Sequence, residues 1–421
     1  MEEPMSQVSF EEIGKQKTGH APPGVPVVAF DPYSDEVMSN PYPYYQELRE
    51  AGPLVWMQQY GTYAVGSYSS VVRVLTDHDS FCSSAGVGLT NFHTETPWRK
   101  PSIILEVDPP DHSRTRKVFS RILSPRSLNK LRERFEQEAE AIVSRVVAKG
   151  DCDGVKDLAE AYPLKVFADA VGLPPDGREH LLPYGDMVFN AFGPQNDRFR
   201  ECLARLGPSI EWINEVCQRK NLREDSFGAE LYAAADAGEI THEEAGMLVR
   251  TMLSAGLDTT IFTIGNALAC FARNPDQWAI VRDNPAIARQ AIEEVLRYDS
   301  TFHSFYRTAT RPVTLEGTQL EKNQKILVFV ASANRDSSHW AGADTFDVHR
   351  KPAANVAFGT GIHGCAGQMI ARLEAEIVLK ALAAQVERIE LLGAPELHFN
   401  NTVRGYASLP LRFVAKQNKG D

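Results

Sequence analysis

What the 421-residue chain lacks narrows its role. It has no run of about 18 uncharged apolar residues, the length a membrane-spanning helix needs, so no segment is expected to cross a bilayer. It has no excess of positive charge. Its 55 acidic and 44 basic side chains leave a net charge of −11, which argues against nucleic acid as the main partner. Cysteine is sparse, with Cys82, Cys152, Cys202, Cys217, Cys270 and Cys365 far apart and no CxxC pair. A chain this long does not need disulfide staples, so a reducing cytoplasm is the expected location. The first two dozen residues are charged and contain no apolar stretch, so they are not expected to act as a secretory signal. Residues 1–24 are expected to form a flexible arm. With no internal repeat and no low-complexity linker, residues 25–421 are expected to form one domain.

What is present is ordinary globular material, 43% hydrophobic and 24% charged, enough for a core that encloses a cofactor. Two short alternating stretches, from Pro53 to Met57 and from Gly61 to Val65, predict a β-hairpin. Helical periodicity dominates from about Ser113 to Ala291, and strand-like pieces return near residues 308–315, 324–330 and 409–414. The fold class is therefore mainly α, an α+β unit with small peripheral sheets. Thr241 followed by Glu244 has the form of a capping box, and Asn274-Pro275 supplies a stop. Between them a single helix of about 32 residues, roughly 48 Å long, is expected. Its apolar middle contains Asp258, Thr259 and Thr260, polar groups that are costly there unless hydrogen-bonded or functional.

The most informative segment is Phe358-Gly-Thr-Gly-Ile-His-Gly-Cys-Ala-Gly367, which runs into an apparent helix. Its glycines permit a tight turn and close backbone approach to a flat partner. A cysteine entering a helix N-terminus sees free N–H donors that favour the thiolate, the ligand a heme iron needs for O–O cleavage. Taken alone, Cys365 reads equally well as a buried thiol beside a glycine-rich turn. The whole pattern resembles the heme-binding fingerprint of the cytochrome P450 family, F-x-x-G-x-[R/H]-x-C-x-G. Two more signatures follow the family's order. Glu294-Val-Leu-Arg297 resembles its E-x-x-R pair, a structural element that is buried in the family although such i,i+3 pairs are usually solvated. Ala255-Gly-Leu-Asp-Thr-Thr260 resembles its oxygen-activation segment, whose alternative reading is a packing glycine with back-bonded threonines.

The resemblance implies the cytochrome P450 fold, a helical bundle around heme b with Cys365 as the axial metal ligand. Phe358 shields the sulfur, and Gly367 completes the loop. His112 and Arg116, from Asp108-Pro-Pro-Asp-His-Ser-Arg-Thr-Arg116, together with Arg307 and His363, meet the heme propionates. Thr259 hydrogen-bonds dioxygen and Asp258 relays protons. The third, arginine member of the Glu–Arg network is replaced by Thr345, with Arg350 a candidate substitute. The family also implies O2 as co-substrate and separate electron donors, an iron–sulfur ferredoxin and a flavoprotein reductase. The basic run of Arg114, Arg116, Lys117, Arg121, Arg126, Lys130, Arg132 and Arg134 suits such an acidic partner, or equally a solvated helix surface.

Residues 81–89, 97–102, 158–167, 188–194 and 399–402 resemble a narrower bacterial group that oxidises para-substituted benzoic acids. Because loops vary most among relatives, this likeness carries weight. It implies that Leu105, Phe189, Phe192, Ala255 and Phe305 grip a flat ring while Arg99, Ser102, Arg250 and Thr251 hold its carboxylate, and Phe302, a departure from that group, is expected to narrow the pocket. The plain alternatives are core packing for Phe189 and Phe192 and solvent exposure for both arginines. Thr251 stands where that group has serine, and Thr301 and Phe302 where it has proline and a smaller aliphatic. The expected reaction is O-demethylation of 4-methoxybenzoate. The rivals are hydroxylation of a terpenoid or fatty acid and a heme sensor without turnover.

Overall fold

The computed structural model describes residues 20–97, 99–351 and 354–417. Most of the expected arm, residues 1–19, lies outside them, as does Trp98 of the 97–102 stretch.

Thr241 starts its helix as its sequence predicts. Its hydroxyl accepts from the Glu244 amide, and the Glu244 carboxylate accepts from the Thr241 amide. The expected single helix is corrected, however. It is two helices, His242–Ala255 and Asp258–Arg273, separated at Gly256 and Leu257. A Cβ at Gly256 would lie 2.3 Å from the Phe167 ring, so only glycine lets the two chains approach this closely. At the break the Thr259 and Thr260 hydroxyls donate to the carbonyls of Ala255 (2.8 Å) and Gly256 (3.2 Å). Such back-bonding is known to bend helices.

Asp258–Arg273 is the central helix, buried on nearly every side from Thr260 to Phe271. Ala288–Tyr298 and Gln368–Gln385 pack against it, and the latter also packs along Arg132–Lys149. Taken together, His242–Arg273 is long and apolar enough to cross a membrane, but 78% of its most apolar window is buried inside the protein, as befits a core element.

The strands are peripheral, as the composition suggested. The expected hairpin forms from Val55–Met57 and Thr62–Val65. It belongs to a six-stranded sheet in the order Val27–Val28, Val55–Met57, Thr62–Val65, Lys325–Phe329, Ser304–Ala309, Phe81–Cys82. Smaller sheets pair Val386–Leu391 with Pro410–Ala415, Glu396–Phe399 with Arg404–Ser408, and Val313–Leu315 with Thr318–Leu320.

The Glu294 and Arg297 side chains are both 0% exposed and joined by two 2.8 Å bonds. Arg297 also donates to the carbonyls of Asn334, Ala343 and Thr345. Arg350 supplies the third member, its Nε donating to Glu294 (3.2 Å) and its Nη atoms to the Ala341 and Gly342 carbonyls. Removing one partner of a buried pair leaves an uncompensated charge. Glu294→Ala should therefore lower unfolding free energy by about 3–5 kcal/mol, measured as a reduced urea midpoint.

Candidate functional site

The Cys365 loop is closed by its own backbone, the Cys365 amide donating to the Phe358 carbonyl at 2.8 Å. Gly359 and Gly361 adopt positive φ, and a Cβ on Gly361 would lie 2.3 Å from the Leu75 carbonyl oxygen. Glycine is required there. Arg116 donates to the Gly364 carbonyl, and the Arg372 guanidinium lies 4.3 Å from the centre of the half-buried Phe358 ring. Gly367 caps the helix Gln368–Gln385, and a Cβ on it would sit 3.9 Å from the Cys365 sulfur.

The expected N–H donors do favour the thiolate, since the Gly367 and Gln368 amides lower the Cys365 thiol, but burial opposes them. Burial pushes the Cys365 thiol up and outweighs the Gly367 and Gln368 amides and the charges of Arg116 and Arg372. The amides are placed to stabilise a thiolate, but its formation needs a further positive charge, such as a coordinated metal ion.

Beside this loop lies a cluster of buried donors. His112 and His363 face each other with ring centroids 4.3 Å apart. Neither His112 Nε2 nor either His363 nitrogen has a hydrogen-bond partner, although His363 lies 3.6 Å from the Asp108 carboxylate. Burial lowers His112 to about 4, so its imidazole is neutral near pH 7. Arg307 is 3% exposed and gives one hydrogen bond, to the Tyr306 carbonyl. Burial brings its guanidinium down to about 10, so it remains charged. Asp108 is already occupied by the Ser83 and Ser84 amides. Buried donors without acceptors are rare and costly. His112, His363, Arg116 and Arg307 thus fit a flat group carrying two carboxylates, as the heme resemblance requires.

At the break in the central helix, Asp258 is 5% exposed and its Oδ1 has no partner. Gly185 packs against it so tightly that a Cβ would lie 2.2 Å from Asp258 Oδ2. Burial, and then the carboxylates of Asp186 and Glu160, hold the Asp258 carboxyl well above the usual range. The raised carboxyl favours the protonated form and stands next in sequence to the Thr259 hydroxyl. Ala255, across the break, is exposed.

A family model described as Cytochrome P450 matches residues 192–385. The chain is 48% identical to cytochrome P450 CYP199A2 of Rhodopseudomonas palustris, over 93% of this chain and 95% of that one. The chain belongs to the cytochrome P450 family. It is also 28% identical to a steroid C26-monooxygenase of Rhodococcus jostii, over 90% of this chain and 83% of that one. In fold it is similar to cytochrome P450epoK with epothilone D bound, at a TM-score of 0.82 and 24% identity over 92% of this chain and 99% of that one. The protein is thus a P450 monooxygenase, and the family implies a heme-thiolate centre, O2 and redox partners.

In this P450 the four expected pocket phenylalanines meet edge to face. Phe189 lies 6.1 Å from Phe192 and 6.0 Å from Phe302, which lies 5.5 Å from Phe305. Leu105 is half-buried against the same core cluster. The Arg307 guanidinium lies 4.7 Å from the Phe305 ring, joining the aromatic wall to the cluster of buried donors.

The polar end departs from expectation. Arg99 is bound by both oxygens of the buried Glu106 carboxylate at 2.7 Å each, so it is an orienting donor rather than an uncommitted cation. Arg250 is exposed and donates to Asn214, so its guanidinium, like that of Arg99, has a partner within the chain. Thr251 donates to the Met247 carbonyl (2.9 Å), and Ser102 Oγ accepts from the Leu105 amide (3.2 Å). Sequence reasoning missed Glu106, Asp108 and Tyr184. Tyr184 is half-buried within electrostatic reach of both Arg250 and Arg99. Asp108 opens a motif that was read and Glu106 stands just before it, but no local signal marks which carboxylate is buried.

The basic face is also less free than its composition suggests. Arg114, Arg121, Arg132 and Arg134 pair with Glu244, Glu239, Glu136 and Asp169. Lys117, Arg126 and Lys130 remain exposed.

Replacing His112 by leucine keeps the packing but removes a buried donor. His112→Leu should speed heme transfer to an apo-globin acceptor by roughly 10- to 100-fold, read optically.

Proposed function

We propose that this P450 is a cytoplasmic heme b monooxygenase of para-substituted benzoic acids that O-demethylates 4-methoxybenzoate. One oxygen atom of O2 enters the methoxy C–H bond, and the hemiacetal formed falls apart to 4-hydroxybenzoate and formaldehyde. The other oxygen leaves as water after uptake of two electrons and two protons. Bound heme, ligated by Cys365, supplies the dioxygen chemistry, and the chain supplies orientation and protons.

The observation that carries this reading is the aromatic wall of Phe192, Phe189, Phe302 and Phe305, which abuts Arg307 of the donor cluster at one end. A flat ring against that wall directs its para group toward Ala255 and Thr259. Its carboxylate is received by Arg99, Ser102 and Thr251, where charge-assisted hydrogen bonds replace water. Asp258, whose buried carboxyl is raised above its usual range, is the proton reservoir, and the Thr259 hydroxyl, turned from the Ala255 carbonyl, passes protons onward. Electrons come from a ferredoxin and its flavoprotein reductase, docking over Lys117, Arg126 and Lys130.

Optical titration of the ferric protein with 4-methoxybenzoate tests the substrate. A saturable low-to-high-spin shift is expected. No shift, with the red-shifted band of the reduced carbon-monoxide complex intact, overturns the benzoate reading. Arg99→Ala should weaken this binding roughly 10- to 100-fold while leaving the carbon-monoxide band unchanged. Phe302→Ala should open the wall beside Phe189, so that benzoates with longer para substituents give larger spin shifts than in the parent protein.

A further inference from the structure

Behind Phe192 stands the segment 85–89. The Leu89 amide donates to the Phe192 carbonyl (3.1 Å), and a Cβ on Gly88 would lie 3.1 Å from the Phe192 Cα. No strand holds this segment. Buried charges do. Lys325 is 6% exposed, and its Nζ reaches the carbonyls of Gly88 (2.7 Å), Gly86 (2.9 Å) and Ala85 (3.4 Å). The Tyr306 ring lies 5.6 Å from the same atom, and the Tyr306 amide donates to the Val87 carbonyl at 2.8 Å. On the other side the Glu106 carboxylate accepts from the Val87 amide (3.3 Å), the Ser102 amide (3.0 Å) and both Nη atoms of Arg99.

We propose that Lys325 is a positioning residue of the substrate pocket, its ammonium acting with Glu106 to fix the 85–89 wall and the Arg99 guanidinium, so that protonation of Lys325 sets pocket affinity. The identity of the ligand rests on the benzoate reading. The clamp itself does not.

An ammonium has three hydrogens for the three carbonyls, whereas a neutral amine has two. Burial is the main influence on Lys325 and brings it down to about 7. Glu106, Cys82 and Glu95 oppose that shift, and Arg307 adds to it. Below about 7 the wall is fully hydrogen-bonded, and above it one carbonyl loses its donor. The unfolded chain keeps its lysine protonated up to about 10.4, so it binds the extra proton between about 7 and 10.4. In that window this group makes folding more favourable as pH rises, while the pocket loosens. Affinity and global stability therefore move in opposite directions, a signature that a merely structural lysine does not give.

Amide hydrogen exchange of the holoenzyme at about pH 6 and about pH 8 tests this, corrected for the intrinsic rate. In the parent protein, Val87 and Leu89 should exchange about tenfold faster at the higher pH, and 4-methoxybenzoate should bind about tenfold more weakly. Lys325→Met should exchange fast at both pH values and show pH-independent binding. Should that variant fail to fold, the pH profile of the parent protein decides. Equal protection of these amides at both pH values in the parent protein overturns the proposal. If protection shifts as expected but 4-methoxybenzoate gives no spin change at either pH, the clamp is supported and only the benzoate reading fails.

Discussion

Glu294 and Arg297 carry opposite charges on one helix face with no solvent contact, and an arrangement of that kind survives only when every lone pair and proton is used. Three carbonyls, from Asn334, Ala343 and Thr345, and the Arg350 side chain complete the set. These partners come from chain with little regular secondary structure, between the last strand of the main sheet and the Cys365 loop. The pair thus imposes a path on a segment that no ladder or helix would hold. The placement of Cys365 relative to the central helix depends on that path.

Around that loop the protein leaves some polar groups unfinished. His112, His363 and Asp258 are buried with atoms that have no partner, as is the Glu374 carboxylate farther along the helix after Cys365, whereas other buried charges are well bonded. Lys325 has three acceptors and Glu106 four donors. Unsatisfied groups in such an interior mark where another molecule belongs. The histidines and Arg307 suit carboxylates. Burial raises the Asp258 carboxyl, which suits a role as proton donor. The same burial that raises Asp258 also raises the Cys365 thiol, so the two ends of the site have opposite needs. Burial suits Asp258 as an acid, whereas at Cys365 it works against the thiolate that the surrounding amides and arginines favour.

Much of this was readable in the chain. The Cys365 loop is legible because its chemistry is local: glycines for the turn, cysteine before a helix, histidine two positions earlier. The Glu294–Arg297 pair and the capping box at Thr241 are legible for the same reason, since i,i+3 spacing is set by the helix itself. Asp258 and Thr259 stood out because polar residues in an apolar helix demand an explanation. The break at Gly256 was only half legible. Glycine signals freedom, but whether a helix parts there depends on Phe167, distant in sequence, pressing on it.

Sequence alone determined the family, the ligating cysteine candidate and the helical core, because each rests on spacing within one element. Only the tertiary structure decided which charges are spoken for. Arg99 and Arg250 look alike in sequence, yet one is gripped by a buried carboxylate and the other donates to Asn214 from an exposed position. Lys325 gave no signal at all, being one lysine in a short strand. Its three carbonyl partners lie more than two hundred residues away in the chain. Burial and long-range pairing belong to no local pattern, and it is burial that converts an ordinary side chain into one whose proton matters.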